Sequence, residues 1–243
     1  MSFSLAAKAV GPVVNLRTIP AANAPLVAST HVADAIIDAI RERGCARLAI
    51  AGGSAMAPLA PLRERLGEAW KQVKLCWLDE RCVDFDHPDS NRGSAYRTGA
   101  LDKKHSCMFE MPGWLDSDTP KLACERIKST LLSEFDNELD VLLLGMGGDG
   151  HIASLFPGHA ATVSTGPDLV AYISDSPKPP ARRITLTMRI LSSAQSAILV
   201  ALGESKQDAL SRLVAGDSAL PASRLSNLVI LTDQNLLTDR EIK

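Results

Sequence analysis

Apolar positions along this chain keep two rhythms, and the two alternate. Val32, Ala33, Ile36, Ile37 and Ile40 recur at helical spacing and stop before Gly44, which predicts a helix ending at that glycine. Four short runs, Arg47-Leu-Ala-Ile-Ala, Val73-Lys-Leu-Cys-Trp-Leu, Asp140-Val-Leu-Leu-Leu and Ser196–Leu202, are instead almost unbroken in their apolarity. Strands of that kind are covered on both faces, as in a parallel sheet. Residues 12–18, 169–175 and 182–187 predict further strands, the last with Arg183, Thr185 and Thr187 alternating with apolar positions. Strand and helix repeat without a linker, which predicts one α/β domain over residues 1–243. Its expected core is a mainly parallel, doubly wound, Rossmann-like sheet flanked by helices.

Each apolar run ends in glycine or polar residues: Gly52-Gly53-Ser54, Asp79-Glu80-Arg81, the stretch 145–158, and Gly203-Glu-Ser-Lys206. Right-handed parallel crossovers bring such ends to one rim, where open α/β sheets bind ligands. In Gly145-Met-Gly-Gly-Asp-Gly-His-Ile-Ala-Ser-Leu-Phe-Pro-Gly158, four of the first six residues are glycine, beside Asp149 and His151. The backbone there can approach a ligand that side chains would hold off. Gly145-x-Gly147-x-x-Gly150 also matches the dinucleotide fingerprint, but that motif needs a crossover helix opening at its last glycine, and Pro157 follows too soon. No nicotinamide or flavin cofactor is expected.

The chemistry follows from residue types. Gly52-Gly53-Ser54 offers backbone N–H groups before a predicted helix, suited to an oxyanion or phosphate; the alternative is a tight turn with Ser54 as N-cap. No lysine follows as in a P-loop, and the final glycine of a nucleophile elbow is missing. Arg81 can fork onto two phosphate oxygens, or form a surface ion pair. Lys206 can add a point charge. His151 is the candidate base, because imidazole titrates near neutrality and can take a proton from water, with Asp149 to orient it. His87 and its acidic neighbours form a weaker metal candidate without a second histidine at ligand spacing. His31 and His105 look like surface or helix-end residues, and His159 lies beyond Pro157-Gly158. The loops at 84–93 and 156–168 are long enough to be functional.

Composition narrows the classes. With 46% hydrophobic and 22% charged residues the chain is ordinary for a soluble protein, and a net charge of −2 gives no general attraction to nucleic acid or anionic membrane. Phosphate recognition must therefore be local. Five cysteines without a C-x-x-C pair suggest reduced thiols, neither a disulfide framework nor a zinc cluster. Met1–Lys8 carries no apolar h-region and no apolar run reaches roughly 18 residues, so a cytoplasmic location is expected.

Taken in order, with Asp86-His87-Pro-Asp-Ser-Asn91, Arg183-Ile-Thr-Leu-Thr187 and Leu220-Pro-Ala-Ser223, these stretches resemble the 6-phosphogluconolactonase family, within the wider group that includes the glucosamine-6-phosphate deaminases. The resemblance spans most of the chain. It implies a NagB/RpiA-like fold, and hydrolysis of 6-phospho-D-glucono-1,5-lactone to 6-phosphogluconate without metal or cofactor. That reaction is the second step of the oxidative pentose phosphate pathway. The implied protein is a monomer or weak homo-oligomer whose partner is a small sugar phosphate. His151 would be the general base and Asp149 its support. Gly52, Gly53, Ser54, Arg81 and Lys206 would hold the phosphate; Asp79, Gly147 and Gly148 would complete the substrate contacts, with loop N–H groups facing the oxyanion.

Two alternatives remain. The deaminases typically continue Gly-His-Ile-Ala with Phe-Asn-Glu-Pro-Gly, where this chain has Ser154-Leu-Phe-Pro-Gly158. A non-catalytic sugar-phosphate sensing domain usually accompanies a basic helix-turn-helix stretch, and none is read here. Ala55-Met56 departs from the Thr-Pro usual after Gly-Gly-Ser, so one phosphate-binding hydroxyl is expected to be missing, at a cost to affinity more than to reaction type.

Overall fold

The computed structural model describes residues 14–236; Met1–Lys8 and the first two positions of the 12–18 strand lie outside them. In chain order the elements are β1 (Val14–Thr18), α1 (Ala24–Arg43), β2 (Ala46–Ile50), α2 (Leu59–Leu66), β3 (Val73–Trp77), β4 (Asp79–Arg81), α3 (Asn91–Arg97), β5 (Phe109–Glu110) and α4 (Pro120–Phe135). There follow β6 (Val141–Gly145), α5 (Ala160–Val163), β7 (Val170–Ile173), β8 (Arg183–Leu186), α6 (Met188–Leu191), β9 (Ser196–Val200), α7 (Gln207–Val214) and β10 (Leu228–Thr232). Seven strands form one parallel sheet in the order β1-β10-β9-β6-β2-β3-β5.

The unbroken apolar runs have a direct cause: both faces of the sheet are covered. Leu48, Ile50, Leu75, Val141, Leu143 and Ile198 pack on one side with Val32 and Ile36 of α1 and Leu59 and Leu62 of α2. The alternate positions Ala49, Cys76, Leu142, Leu144 and Leu199 meet Leu131 and Phe135 of α4 and Leu210 and Leu213 of α7. This is the doubly wound arrangement that the sequence predicted. α1 stops at Gly44, where a φ of 80° turns the chain and the Gly44 N–H donates to the Ile40 carbonyl at 2.8 Å. α4 and β10, absent from the sequence reading, complete the two layers; Thr119 caps α4, its hydroxyl accepting from the Leu122 N–H at 3.3 Å, with Pro120 in the first helical position.

At Leu78 the chain changes sheets. Its N–H donates to Ile50 of the main sheet at 2.9 Å, while its carbonyl accepts from the Leu186 N–H at 2.8 Å. The next three residues are therefore a strand, β4, and not only the polar strand end that the sequence suggested. β4 pairs antiparallel with β8, and β8 with β7, giving a separate three-stranded sheet, order β4-β8-β7. The predicted strands at 169–175 and 182–187 belong to this sheet.

The far ends of β2 and β6 are tied by charge. Asp140, fully buried, accepts from the Arg47 backbone N–H at 2.8 Å and from Arg47 Nη2 at 2.9 Å, and also pairs with Arg43. Arg47 Nη2 reaches Glu138 at 3.1 Å as well. Both buried charges are thus compensated, at the pole opposite the strand ends that carry the glycine loops.

Candidate active site

Five segments meet at the carboxyl edge of the main sheet around a cleft of about 250 Å³. Its walls are Gly52–Ser54 after β2, Asp79 and Arg81 on β4, Gly145–Gly147 with His151 and Ala153 after β6, Lys178 and Arg183 before and on β8, and Lys206 after β9. A wider groove of about 640 Å³, lined in part by His159, Asp168, Arg189 and Arg224, lies elsewhere. Its Asp168, Arg189 and Arg224 are exposed, whereas the smaller cleft concentrates buried, interlocked polar groups.

His151 is held by its Nδ1, which lies 2.6 Å from Asp149 Oδ1. Partial burial pushes the Asp149 pKa up, but the hydrogen bonds and charges of His151 and Lys178 outweigh it and bring it down to about 2. An ionised carboxylate only accepts, so Nδ1 carries the hydrogen and the lone pair sits on Nε2. Burial lowers the His151 pKa; Asp149 opposes the shift, Lys178 assists it and Asp79 opposes it. The imidazole is thereby a free base at neutral pH. Its ring packs on Phe156 with centroids 4.6 Å apart. Gly147 permits this approach, because a Cβ there would stand 2.1 Å from His151 Nδ1 and 2.4 Å from Asp149 Oδ1.

Two guanidiniums also line the cleft side by side, because β4–β8 register pairs Arg81 with Arg183. Like charges so placed repel. Arg183, 3% exposed, is pushed toward a lower pKa by burial and by Arg81, and is compensated by Asp79 at 3.7 Å. Asp79 is itself engaged: Ser154 Oγ donates to it at 2.6 Å and Asn91 Nδ2 at 3.3 Å. Arg81 Nη1 donates to the Asp89 carbonyl at 2.8 Å, whereas its Nε is buried without a partner among the described residues. A buried guanidinium N–H without an acceptor beside an open cleft is the arrangement an anion completes.

Glu80, 5% exposed, fixes the surrounding loop. It accepts from the backbone N–H groups of Arg81 at 2.8 Å, Asn91 at 2.7 Å and Arg92 at 2.9 Å. Burial drives its pKa upward and those three donors resist. Asn91, held this way, lies so close to Gly52 that a Cβ at 52 would meet Asn91 Oδ1 at 1.8 Å. The loop at 84–93 is thus a buttress for the glycine turn.

Most sequence candidates converge here, with adjustments. Gly52, Gly53, Ser54, Asp79, Arg81, Gly147, His151 and Lys206 line the cleft. Asp149 stands behind His151, and Gly148 packs against the residue before Lys206, where a Cβ would meet the Ser205 carbonyl at 2.7 Å. Ser54 caps no helix: residues 53–56 form a 3-10 turn without a side-chain cap, and α2 begins only at Leu59, after Pro58. The turn therefore offers backbone N–H groups without the end of a long helix behind them. Ala55 and Met56 are buried, one in each of the two apolar cores. His87 Nδ1 accepts from the Asp89 N–H at 3.1 Å, and among the described residues no group of three or more His, Cys, Asp or Glu side chains is arranged to hold a metal. No helix follows Gly150 before α5, as the fingerprint argument required.

Lys178 was missed. It sits in Ser176-Pro-Lys-Pro-Pro, which reads as a turn, and its role depends on Asp149, distant in sequence, to which Nζ donates at 3.2 Å. Arg183 and Asn91 were seen only as parts of motifs.

Residues 22–231 match the family model described as glucosamine-6-phosphate isomerases/6-phosphogluconolactonase. Over 191 residues the chain is 37% identical to the 6-phosphogluconolactonase of Rattus norvegicus, covering 74% of each chain. Its fold is similar to that of a 6-phosphogluconolactonase from Shewanella baltica, with a TM-score of 0.74 at 24% identity over 92% of this chain and 98% of the other. It is also similar to a monomeric glucosamine-6-phosphate deaminase, with a TM-score of 0.71 at 22% identity over 91% and 97% of the two chains. At those identities the likeness is one of fold. Among the described residues no helix is long and apolar enough to cross a membrane.

Proposed function

The chain belongs to the glucosamine-6-phosphate isomerase/6-phosphogluconolactonase family, and from that premise we propose that it hydrolyses 6-phospho-D-glucono-1,5-lactone to 6-phosphogluconate. The observation that carries the reading is the His151 imidazole, held through Nδ1 by Asp149 at 2.6 Å, in a cleft that also holds Arg81, Arg183 and Lys206; burial favours its neutral form, with Nε2 as the base. Phosphate is the anion that the turn at Gly52–Ser54, Arg81 and Lys206 would anchor. Anchoring fixes the other end of a six-carbon sugar, so that its C1 carbonyl meets a water beside His151.

The chemistry is general-base catalysis. Nε2 takes a proton as the water oxygen bonds to C1, and the carbonyl electron pair moves onto oxygen. Collapse of that intermediate breaks the bond from C1 to the ring oxygen, which receives the proton back from the imidazolium. No covalent enzyme intermediate is required. In this reading the whole chain acts as one unit, as a monomer or weak homo-oligomer, and its five free thiols support a reducing, cytoplasmic setting.

The test is a coupled assay: freshly generated lactone, excess 6-phosphogluconate dehydrogenase, and NADPH formation above the spontaneous rate, with ammonia release from glucosamine 6-phosphate followed in parallel. Acceleration of the first reaction alone is expected, and it disappears in H151A. Ammonia release without lactone hydrolysis overturns the reading.

A further inference from the structure

We infer that the Lys178 ammonium is the electrophilic partner of His151, meeting the oxygen on C1 as water adds and then holding the C1 carboxylate of the product. The inference deepens the lactonase reading and rests on it. Two donors share one acceptor: His151 Nδ1 at 2.6 Å and Lys178 Nζ at 3.2 Å both lie on Asp149 Oδ1. The imidazole and the ammonium are thereby tied through one carboxylate oxygen, and both residues line one cleft. Lys178 lines the same cleft, and its side chain remains 43% exposed, free to turn from Asp149 toward a ligand.

Its backbone, by contrast, is clamped. Arg183 donates to the carbonyls of Lys178 at 3.1 Å, Pro179 at 3.0 Å and Pro180 at 3.0 Å. Ser176 Oγ donates to the Lys178 carbonyl at 2.8 Å and accepts its N–H at 3.3 Å. A fixed stem with a mobile charged tip suits a group that must follow an oxygen from carbonyl to oxyanion to carboxylate. The demand for one is chemical. The product carries two anions, a phosphate and a carboxylate, and Arg81 is assigned above to the phosphate. Arg183 is further committed to Asp79 and the 178–180 carbonyls, which leaves Lys178 for the end where the base acts.

The balance closes. Water gives one proton to Nε2 and bonds to C1; the carbonyl π pair becomes an oxyanion that accepts from Lys178 Nζ. Collapse restores the C=O bond and expels the ring oxygen, which takes the imidazolium proton, and the resulting acid ionises to bulk water against the ammonium. The charged groups that face His151 are Asp149, Lys178 and Asp79, with Arg81, Arg183 and Lys206 elsewhere in the cleft. Of these, Lys178 favours the neutral imidazole, and Asp149 and Asp79 the charged one.

The experiment compares wild type with K178M, K178Q and K178R. Loss of one oxyanion donor typically costs about 10²–10³ in kcat, so K178M and K178Q are expected to lose about 10²-fold while K178R retains the larger part. The acidic limb of kcat/KM should move to higher pH in K178M, because the imidazole loses a repelling charge. Calorimetry then separates the two ends: 6-phosphogluconate binding weakens about tenfold or more in K178M, whereas glucitol 6-phosphate, which lacks the carboxylate, binds as it does to wild type. Wild-type turnover in K178M and K178Q overturns the inference, as does an equal loss of affinity for both ligands. Inactive wild type overturns the lactonase reading and this inference with it, an outcome distinct from active wild type with active variants.

Discussion

Replacing Asp149 with asparagine tests the reading at its centre. The carboxylate accepts the His151 Nδ1 hydrogen at 2.6 Å and is held ionised, so it fixes the tautomer that leaves Nε2 unprotonated. Hydrogen bonds to charged groups contribute about 1.5–3 kcal/mol, which corresponds to about 10- to 150-fold in rate. Asp149 is 39% exposed, so water replaces part of the interaction and D149N is expected to lower kcat about 10- to 50-fold. KM should stay within about twofold, since Asp149 is no part of the phosphate cradle. The pH profile supplies the sign. In wild type the acidic limb should fall below 6.5, because burial lowers the His151 pKa. Asp149 opposes that lowering, so D149N carries the limb further down, opposite to K178M. The NADPH-coupled assay between pH 5 and 8 measures both quantities. An unchanged kcat, or a limb that moves upward, refutes the assignment of Asp149 as the support of the base.

Arg81→Ala removes the cation with the unsatisfied buried Nε and should raise KM about tenfold or more with a smaller change in kcat; steady-state kinetics decide, and an unchanged KM takes Arg81 out of the phosphate site. Gly147→Ala drives a methyl into the His151–Asp149 contact, 2.1 Å from Nδ1, and should cost kcat about 10²-fold while calorimetry still detects 6-phosphogluconate; full activity would show that the loop yields. Glu80→Ala strips the shared acceptor from the N–H groups of Arg81, Asn91 and Arg92, each worth about 1–3 kcal/mol when left unsatisfied. Urea unfolding should report a loss of about 3 kcal/mol or more, and an unmoved midpoint contradicts the buttress role.

The parallel layer was legible because burial on both faces leaves a local mark: Leu48–Ile50 and Val141–Leu144 are apolar at every position. Gly44 and the glycine loop could be read for a similar reason, since each answers to conformation or chemistry within a few residues. What was not legible depends on pairing across the chain. Nothing near Asp79 announces that it will align with Thr185, or Arg81 with Arg183, and without that register the charges do not form a site. Lys178 gains meaning only when Asp149 arrives beside it. Gly148 is legible only in part, because a glycine in a loop advertises closeness without saying to what; the neighbour that a Cβ there would meet is the Ser205 backbone. The short polar strand β4 carries only the mark of a strand end, because its partner, β8, lies far along the sequence.

Arg47 and Asp140 give this protein a blind side. Their ion knot closes the opposite end of the strands from the cleft, and exchanging a buried ion pair for apolar residues of matching volume is often neutral, or stabilising by about 1–4 kcal/mol. Because Arg43 and Glu138 share that knot, heat tolerance is to be sought by replacing the whole cluster at one pole, with the shared strands running from there to the cleft.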